Sequence, residues 1–405
     1  MKKIINCLVL IISVLATLNT QAQELMKYQE PKEYTLPPKL IPTPRKYWVS
    51  LPKDYDQTTV SYPIIFLFDG DETFLRNSIL ATTDYLTNFL EMPPCIIVGV
   101  IQRNRVLDFG PLYAVKNNPS SGKVNGDKFF DFLKQELLPE LTKNFRTQNF
   151  KIGIGHSLGG LFLTHSFTKD PEFFNGIIAI SPALELQRDS ILFADLKSTL
   201  RSNIHNKTFF CWGSGTEGIN EVAFKPGSVA LGKLFAQNPN PRFTYNYVDL
   251  PGKNHNTTPL FTIPEALAFI FKDWNMNVWF KDIFAGKIDP DLAMASRQKL
   301  IKDSYGFDID PVEVQIQDAI GNEYMTLKKY DKAQLHFEKA IQVSPNQHDL
   351  YSDLGLAMEK LKNYKDALAN LKTGFSKLDK TDKDYPDRSE LYQKDIKRIE
   401  ALFTP

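Results

Sequence analysis

Phe150-Lys151-Ile152-Gly153-Ile154-Gly155-His156-Ser157-Leu158-Gly159-Gly160-Leu161 is the stretch that decides the fold. Its apolar first part reads as a buried strand, and it passes through a glycine-flanked serine into the helix-like segment Leu161 to Thr168. Glycine two positions before and after the serine suits a sharp strand-to-helix turn that lifts the hydroxyl out of a sheet and seats it at a helix amino terminus. On both sides of this stretch strands alternate with helix-period segments. Strand candidates are Ile64 to Phe68, Ile96 to Ile101, Phe150 to Ile154, Ile177 to Ile180, Thr208 to Trp212 and Phe243 to Val248. Most are near-continuous apolar runs, as parallel strands covered on both faces require. From Gly126 to Phe145 an apolar residue recurs every fourth position, with Pro139 expected to kink or divide that helix. The alternation specifies an α/β fold with a doubly wound, mostly parallel sheet over residues 23–275.

The chain has 405 residues, 42% hydrophobic and 23% charged, with a net charge of +1. This composition is that of folded globular domains, and its near-neutral balance disfavours nucleic acid as a partner. Met1-Lys2-Lys3, the apolar run Cys7 to Leu18 and Thr20-Gln21-Ala22 read as a signal peptide over residues 1–22, too short to span a membrane. The expectation is a periplasmic or secreted protein with no stable membrane insertion. Cys95 and Cys211 adjoin apolar runs and read as buried thiols; their spacing suggests neither a disulfide framework nor a metal site. A Pro-rich opening segment (Pro31, Pro37, Pro38, Pro42, Pro44) precedes the first expected strand.

Beyond Trp274 the β-branched runs end, and residues 276–405 read as helices. Gly321, Tyr330 and Ala333 recur 34 residues later as Gly355, Tyr364 and Ala367. The first copy, about 314–347, resembles a tetratricopeptide (TPR) repeat at Gly321, Tyr324, Ala333, Phe337, Ala340 and Pro345. The second, about 348–381, lacks the closing proline and carries Gly374 where alanine is usual; a terminal helix follows. Two repeats cannot bury their faces alone, so they should dock on the α/β domain or on another subunit, which leaves a protein partner or self-association through the helices open.

A serine hydroxyl needs a base, and the chain holds six histidines. His156 sits in the turn itself and is expected to point away, His165 lies on the following helix, His205 at the wrong end of the sheet, and His336 and His348 in the repeats. His255 remains, in the loop Pro251-Gly252-Lys253-Asn254-His255-Asn256 after the last strand. The acid that orients it should stand between the two along the chain. Glu217, in Gly213-Ser214-Gly215-Thr216-Glu217-Gly218, is the choice; Glu221 is the near alternative, and Asp249 is disfavoured as too close to the base. Donors for an oxyanion are expected from the backbone N–H of Leu158 and from Asp69-Gly70-Asp71, through Gly70 and Asp71. The set requires no cofactor and no metal.

These residues resemble the putative esterase branch of the α/β hydrolases, which includes siderophore (enterochelin) esterases. Phe66-Leu67-Phe68-Asp69-Gly70 is similar to the family's oxyanion strand. Val98-Gly99-Val100-Ile101 with Arg103, Arg105, Asp108 and Gly110-Pro111 is similar to its arginine-aspartate-proline loop, and Ile180-Ser181-Pro182-Ala183 also matches. His255 is followed by Asn256-Thr257, where the siderophore-esterase subgroup has Gly-Ser. The resemblance implies a secreted serine hydrolase that cleaves a small-molecule carboxylic ester through an acyl-enzyme. The alternatives are an acyltransferase using the same triad and a catalytically silent scaffold that binds a partner through its repeats. Arg103 and Arg105 either pair with Asp108 or contact substrate. The acyl and alcohol groups, the oligomeric state and the role of the repeats are not legible in the sequence.

Overall fold

In the run Ile64 to Phe68, Ile65 and Leu67 belong to one hydrophobic cluster and Ile64, Phe66 and Phe68 to another. A strand turns successive side chains to opposite faces, so an unbroken apolar run requires cover on both. The computed structural model describes residues 28–111, 125–308 and 312–402; the expected leader lies outside them.

The strands are β1 (Lys32–Leu36), β2 (Arg45–Ser50), β3 (Tyr62–Phe68), β4 (Ile96–Val100), β5 (Thr147–His156), β6 (Gly176–Ile180), β7 (Thr208–Ser214) and β8 (Phe243–Asp249). They form one sheet in the order β1-β2-β4-β3-β5-β6-β7-β8. From β4 to β8 all pairing is parallel, while β1 and β2 are antiparallel at one edge. This edge pair is the part of the sheet that the sequence reading leaves as a Pro-rich segment. The prolines do not interrupt either ladder: Pro31 precedes β1, and Pro37, Pro38, Pro42 and Pro44 fall between the strands, where no inter-strand N–H is required.

One face of the sheet is covered by α1 (Thr73–Asn88) and α7 (Thr258–Ile270). The other is covered by α3 (Gly126–Phe132, Leu133–Leu137 and Leu138–Asn144 in succession), α4 (Leu158–Lys169), α5 (Ser190–Arg201) and α6 (Ile219–Gln237); the short α2 (Arg105–Phe109) follows β4. Pro139 neither stops nor divides α3. The turn before it is a π-turn, with the Leu138 N–H bonded to the Leu133 carbonyl, and the proline falls at the start of the next α-helical stretch, where a missing N–H is tolerated.

The C-terminal helices are α8 (Met276–Phe284), α9 (Pro290–Tyr305), α10 (Glu313–Thr326), α11 (Tyr330–Val343), α12 (His348–Lys360), α13 (Tyr364–Ser376) and α14 (Tyr385–Glu400). They dock on the α/β domain: Phe150, Ile270, Phe271 and Trp274 share one apolar cluster with Ile301, Tyr305, Phe307, Ile316 and Ile320. At the far end α14 covers the last repeat. Tyr392 of α14 donates to the His348 carbonyl at 2.6 Å, and a Cβ at position 374 would lie 2.5 Å from its hydroxyl, which explains glycine in place of alanine there.

Inside the repeats Asp318 and Asp353 are hydrogen-bonded to each other. Burial, then the Asp318 and Asp349 carboxylates, push the Asp353 carboxyl up to about 7 from its ordinary 3.8. A carboxyl raised on folding favours the native state below its unfolded value, and this contribution is lost as the pH rises through its folded value. Asp353→Asn is therefore expected to raise the midpoint of thermal unfolding at pH 8 and to change it little at pH 4. An equal shift at both pH values would contradict this assignment.

Candidate active site

The chain leaves β3 toward β4 on one side, and β5 then takes the place on the other side of β3. A sheet whose strand order reverses in this way opens a crevice at the carboxyl ends of the two strands at the reversal, here β3 and β5. β5 ends at His156, and Ser157 takes φ 57° and ψ −113° before α4 begins. This strained turn explains the flanking glycines. A Cβ at Gly155 would lie 2.5 Å from the backbone of Gly159, so no larger residue fits.

His255 comes to this corner from the loop after β8. Its ring lies 4.3 Å from that of His156, and the His156 Nε2 bonds the His255 carbonyl at 2.9 Å. The ring of His156 packs on His255. Burial, and then the positive charges of His255 and Arg105, push its own pKa down to about 4. A neutral His156 adds no charge beside a protonated His255. The Thr258 hydroxyl also donates to the His255 carbonyl, at 3.0 Å, and itself accepts from Ser181 Oγ at 2.7 Å.

The carboxylate on His255 is Glu221, whose Oε1 lies 2.8 Å from Nδ1. Glu221 is fully buried, and its other oxygen accepts the Gly215 N–H at 2.6 Å. Burial works against its charge, but bonds from His255, Ser181 and the Gly215 amide outweigh it and hold the carboxyl below its ordinary range. An ionised Glu221 fixes the proton on Nδ1 and leaves the Nε2 lone pair of a neutral imidazole to act as a base.

The expectation that Glu217 orients His255 is therefore corrected. Its backbone pairs with the loop that carries His255, its N–H donating to the Lys253 carbonyl at 3.0 Å, while its side chain is exposed and accepts from the Thr216 hydroxyl. Glu221 stands one helical turn further on, on the inner side of α6. Asp249 is exposed and paired with Lys225.

The oxyanion expectation also changes in one part. Leu158 is the first residue of α4, whose leading amides have no partner within the helix. The Gly70 N–H is already bonded to the Val100 carbonyl at 3.0 Å. Asp71 retains an N–H that has no partner among the described residues, and its loop lies against α4, because a Cβ at Gly159 would sit 3.3 Å from Asp69 Oδ2. The arginine expectation changes likewise. Asp108 is held by Arg45 in a buried bidentate pair at 2.6 and 2.8 Å. Arg105 instead joins Asp69 Oδ1 at 2.8 Å to the His156 carbonyl at 2.7 Å, bridging the β3 loop to the serine turn, and Arg103 is exposed.

The sequence model of the family described as putative esterase matches residues 39–241, and that of the TPR repeat matches residues 321–362. The ferri-bacillibactin esterase BesA of Bacillus subtilis is 35% identical over 149 residues, which are 32% of this chain and 51% of that protein, so the match spans about half of that relative. Among solved structures, an IroE-like serine hydrolase from Shewanella oneidensis aligns with a TM-score of 0.65 at 19% identity, over 77% of this chain and 99% of that one. An uncharacterised protein from Capnocytophaga ochracea aligns with a TM-score of 0.60 at 18% identity, over 92% and 100%, so the fold of both parts recurs there together.

Glu221→Gln is expected to lower the rate of ester turnover by about 10²- to 10⁴-fold, and Glu217→Gln to leave it within about twofold. Steady-state kinetics of the two variants side by side checks the assignment; a larger loss in the Glu217 variant would reverse it.

Proposed function

We propose, from the premise that the chain belongs to the putative esterase family, that it hydrolyses a carboxylic ester through an acyl-enzyme intermediate. The carrying observation is the 2.8 Å bond between His255 Nδ1 and a buried carboxylate, beside a serine strained into the turn between β5 and α4.

In this reading the Ser157 hydroxyl attacks the ester carbonyl carbon and gives its proton to His255 Nε2. Glu221 stabilises the imidazolium that results and holds the ring in place. The carbonyl oxygen becomes an oxyanion within reach of the Leu158 and Asp71 amides, each worth about 10² to 10³ in turnover. Collapse of the tetrahedral intermediate breaks the bond to the alkoxide, which takes the proton from Nε2 as it leaves. Water then repeats the sequence on the acyl-serine, with His255 accepting its proton and returning it to Ser157. The segments that carry the base and the nucleophile are linked, because His156 directly precedes the serine and its Nε2 bonds the His255 carbonyl.

The name of the curated relative supports siderophore esters as the substrate class. The expected leader supports action outside the cytoplasm. Among the described residues no helix is long and apolar enough to cross a membrane.

Purified protein is expected to turn over p-nitrophenyl acetate, and Ser157→Ala to reduce that rate by about 10⁴-fold or more. Labelling of Ser157 by a fluorophosphonate, located by peptide mapping, provides the independent check. Equal rates in the two proteins, with no label on Ser157, would end the proposal.

A further inference from the structure

The turn that follows β3 has its middle peptide aimed by a side chain from another strand. The Glu72 N–H donates to the Asp69 carbonyl at 2.9 Å, closing a four-residue turn in which Gly70–Asp71 is the central peptide. That peptide takes no part in the closing bond, and rotating it by about 180° interconverts turns of type I and type II. The C=O and N–H of a trans peptide point in opposite directions. Fixing the direction of the Gly70 carbonyl therefore fixes the direction of the Asp71 N–H, which the proposed mechanism uses as an oxyanion donor.

The Gly70 carbonyl accepts from Trp48 Nε1 at 2.7 Å in a buried setting. Trp48 stands on β2, so its indole must cross β4 to reach the end of β3. Gly99 of β4 gives it passage, since a Cβ there would lie 1.9 Å from the indole Cε2. The other side of Gly70 is equally constrained: its N–H is bonded to the Val100 carbonyl, and its own Cβ would meet the Gly99 carbonyl carbon at 2.6 Å. The flipped, type II turn also requires positive φ at its third residue. Asp71 occupies that position and has no positive φ, as expected of a residue that bears a side chain.

We infer that Trp48 is a positioning residue for the oxyanion site. By holding the Gly70 carbonyl it excludes the flipped turn and keeps the Asp71 N–H turned away from the indole, available to the reacting carbonyl. This inference rests on the esterase reading. Trp48 acts only through the peptide, so its removal acts on the transition state and leaves ground-state binding of the ester largely intact.

The test measures kcat and KM for p-nitrophenyl acetate in Trp48→Phe, Asp71→Gly, Asp71→Ala and the Trp48→Phe/Asp71→Gly double variant. Trp48→Phe keeps an aromatic ring and loses the donor; kcat should fall by about 10- to 100-fold with KM within about twofold, a part of the loss expected for a whole donor. Glycine in place of Asp71 admits positive φ, so Asp71→Gly should lower kcat further than Asp71→Ala. Trp48→Phe should also cost more in the Asp71→Gly background than in the wild type. A folded Trp48→Phe enzyme with wild-type kcat would overturn the inference. Asp71 is exposed, so if Trp48→Phe does not fold, equal kcat values for Asp71→Gly and Asp71→Ala would overturn it independently. Ser157→Ala run in parallel separates the two claims, because hydrolysis retained in that variant sinks the esterase reading itself.

Discussion

The parallel pairing of β3 with β5 is the constraint on which the site depends. These strands are neighbours in space while β4 intervenes between them in sequence, so the loops leaving their carboxyl ends diverge and leave an opening. Into that opening β5 delivers a serine at a helix amino terminus, and β3 delivers a turn in which the Asp71 N–H has no partner among the described residues. Arg105 ties the two loops together, with one nitrogen on Asp69 and another on the His156 carbonyl. The segments that follow β7 and β8 supply Glu221 and His255. A slip of register between β3 and β5 would carry the β3 turn away from the serine, whatever the local geometry of each.

The central strands, the glycine-flanked serine turn and the placing of His255 near it were legible because each follows from a local pattern: apolar runs, a turn that admits only glycine, and a histidine after the last strand. The acid was not. Glu217 and Glu221 lie on the same exit from β7, and four residues of sequence do not reveal where a loop ends and a helix begins. That boundary is set by the bonds of the Thr216 and Glu217 amides to the Lys253 carbonyl, a contact between distant segments. It carries Glu217 outward and leaves Glu221 to turn inward from α6. The same reason hid Trp48, since β2 lies in a segment marked by prolines and the partner of the indole is a backbone carbonyl, which has no sequence signature.

The repeats stand apart from this chemistry. A cavity of about 800 Å³ between them and the α/β domain is lined by Tyr62, the first residue of β3, and Pro94, just before β4, together with His348 and Arg388. These are the amino ends of the strands. Ser157 lies at the carboxyl ends, and the seven residues of β3 alone separate the two edges by roughly 20 Å. Among the described residues, this cavity therefore opens at the edge of the sheet opposite the serine. The effect of the repeats on the catalytic domain runs through the shared apolar cluster around Phe150, Trp274 and Tyr305, which stabilises the base of the sheet.

Strain at the site has a regular origin. Asp69, Ser157 and Ser181 each directly follow the last residue of β3, β5 or β6, and each is a non-glycine residue with positive φ, at 56°, 57° and 40°. Such conformations cost on the order of 1–3 kcal/mol each and persist only where the surroundings overdetermine them. Here the ladder does so by continuing one step past the strands. Ser157 N–H donates to the Ile180 carbonyl at the end of β6, Ser181 N–H to the Gly213 carbonyl of β7, and Gly70 N–H to the Val100 carbonyl at the end of β4. Each exit is held by its neighbour, so relaxing one turn would break a bond belonging to the next strand. The strain is thereby distributed over the sheet, and the serine is kept in a conformation that its local sequence alone would not hold.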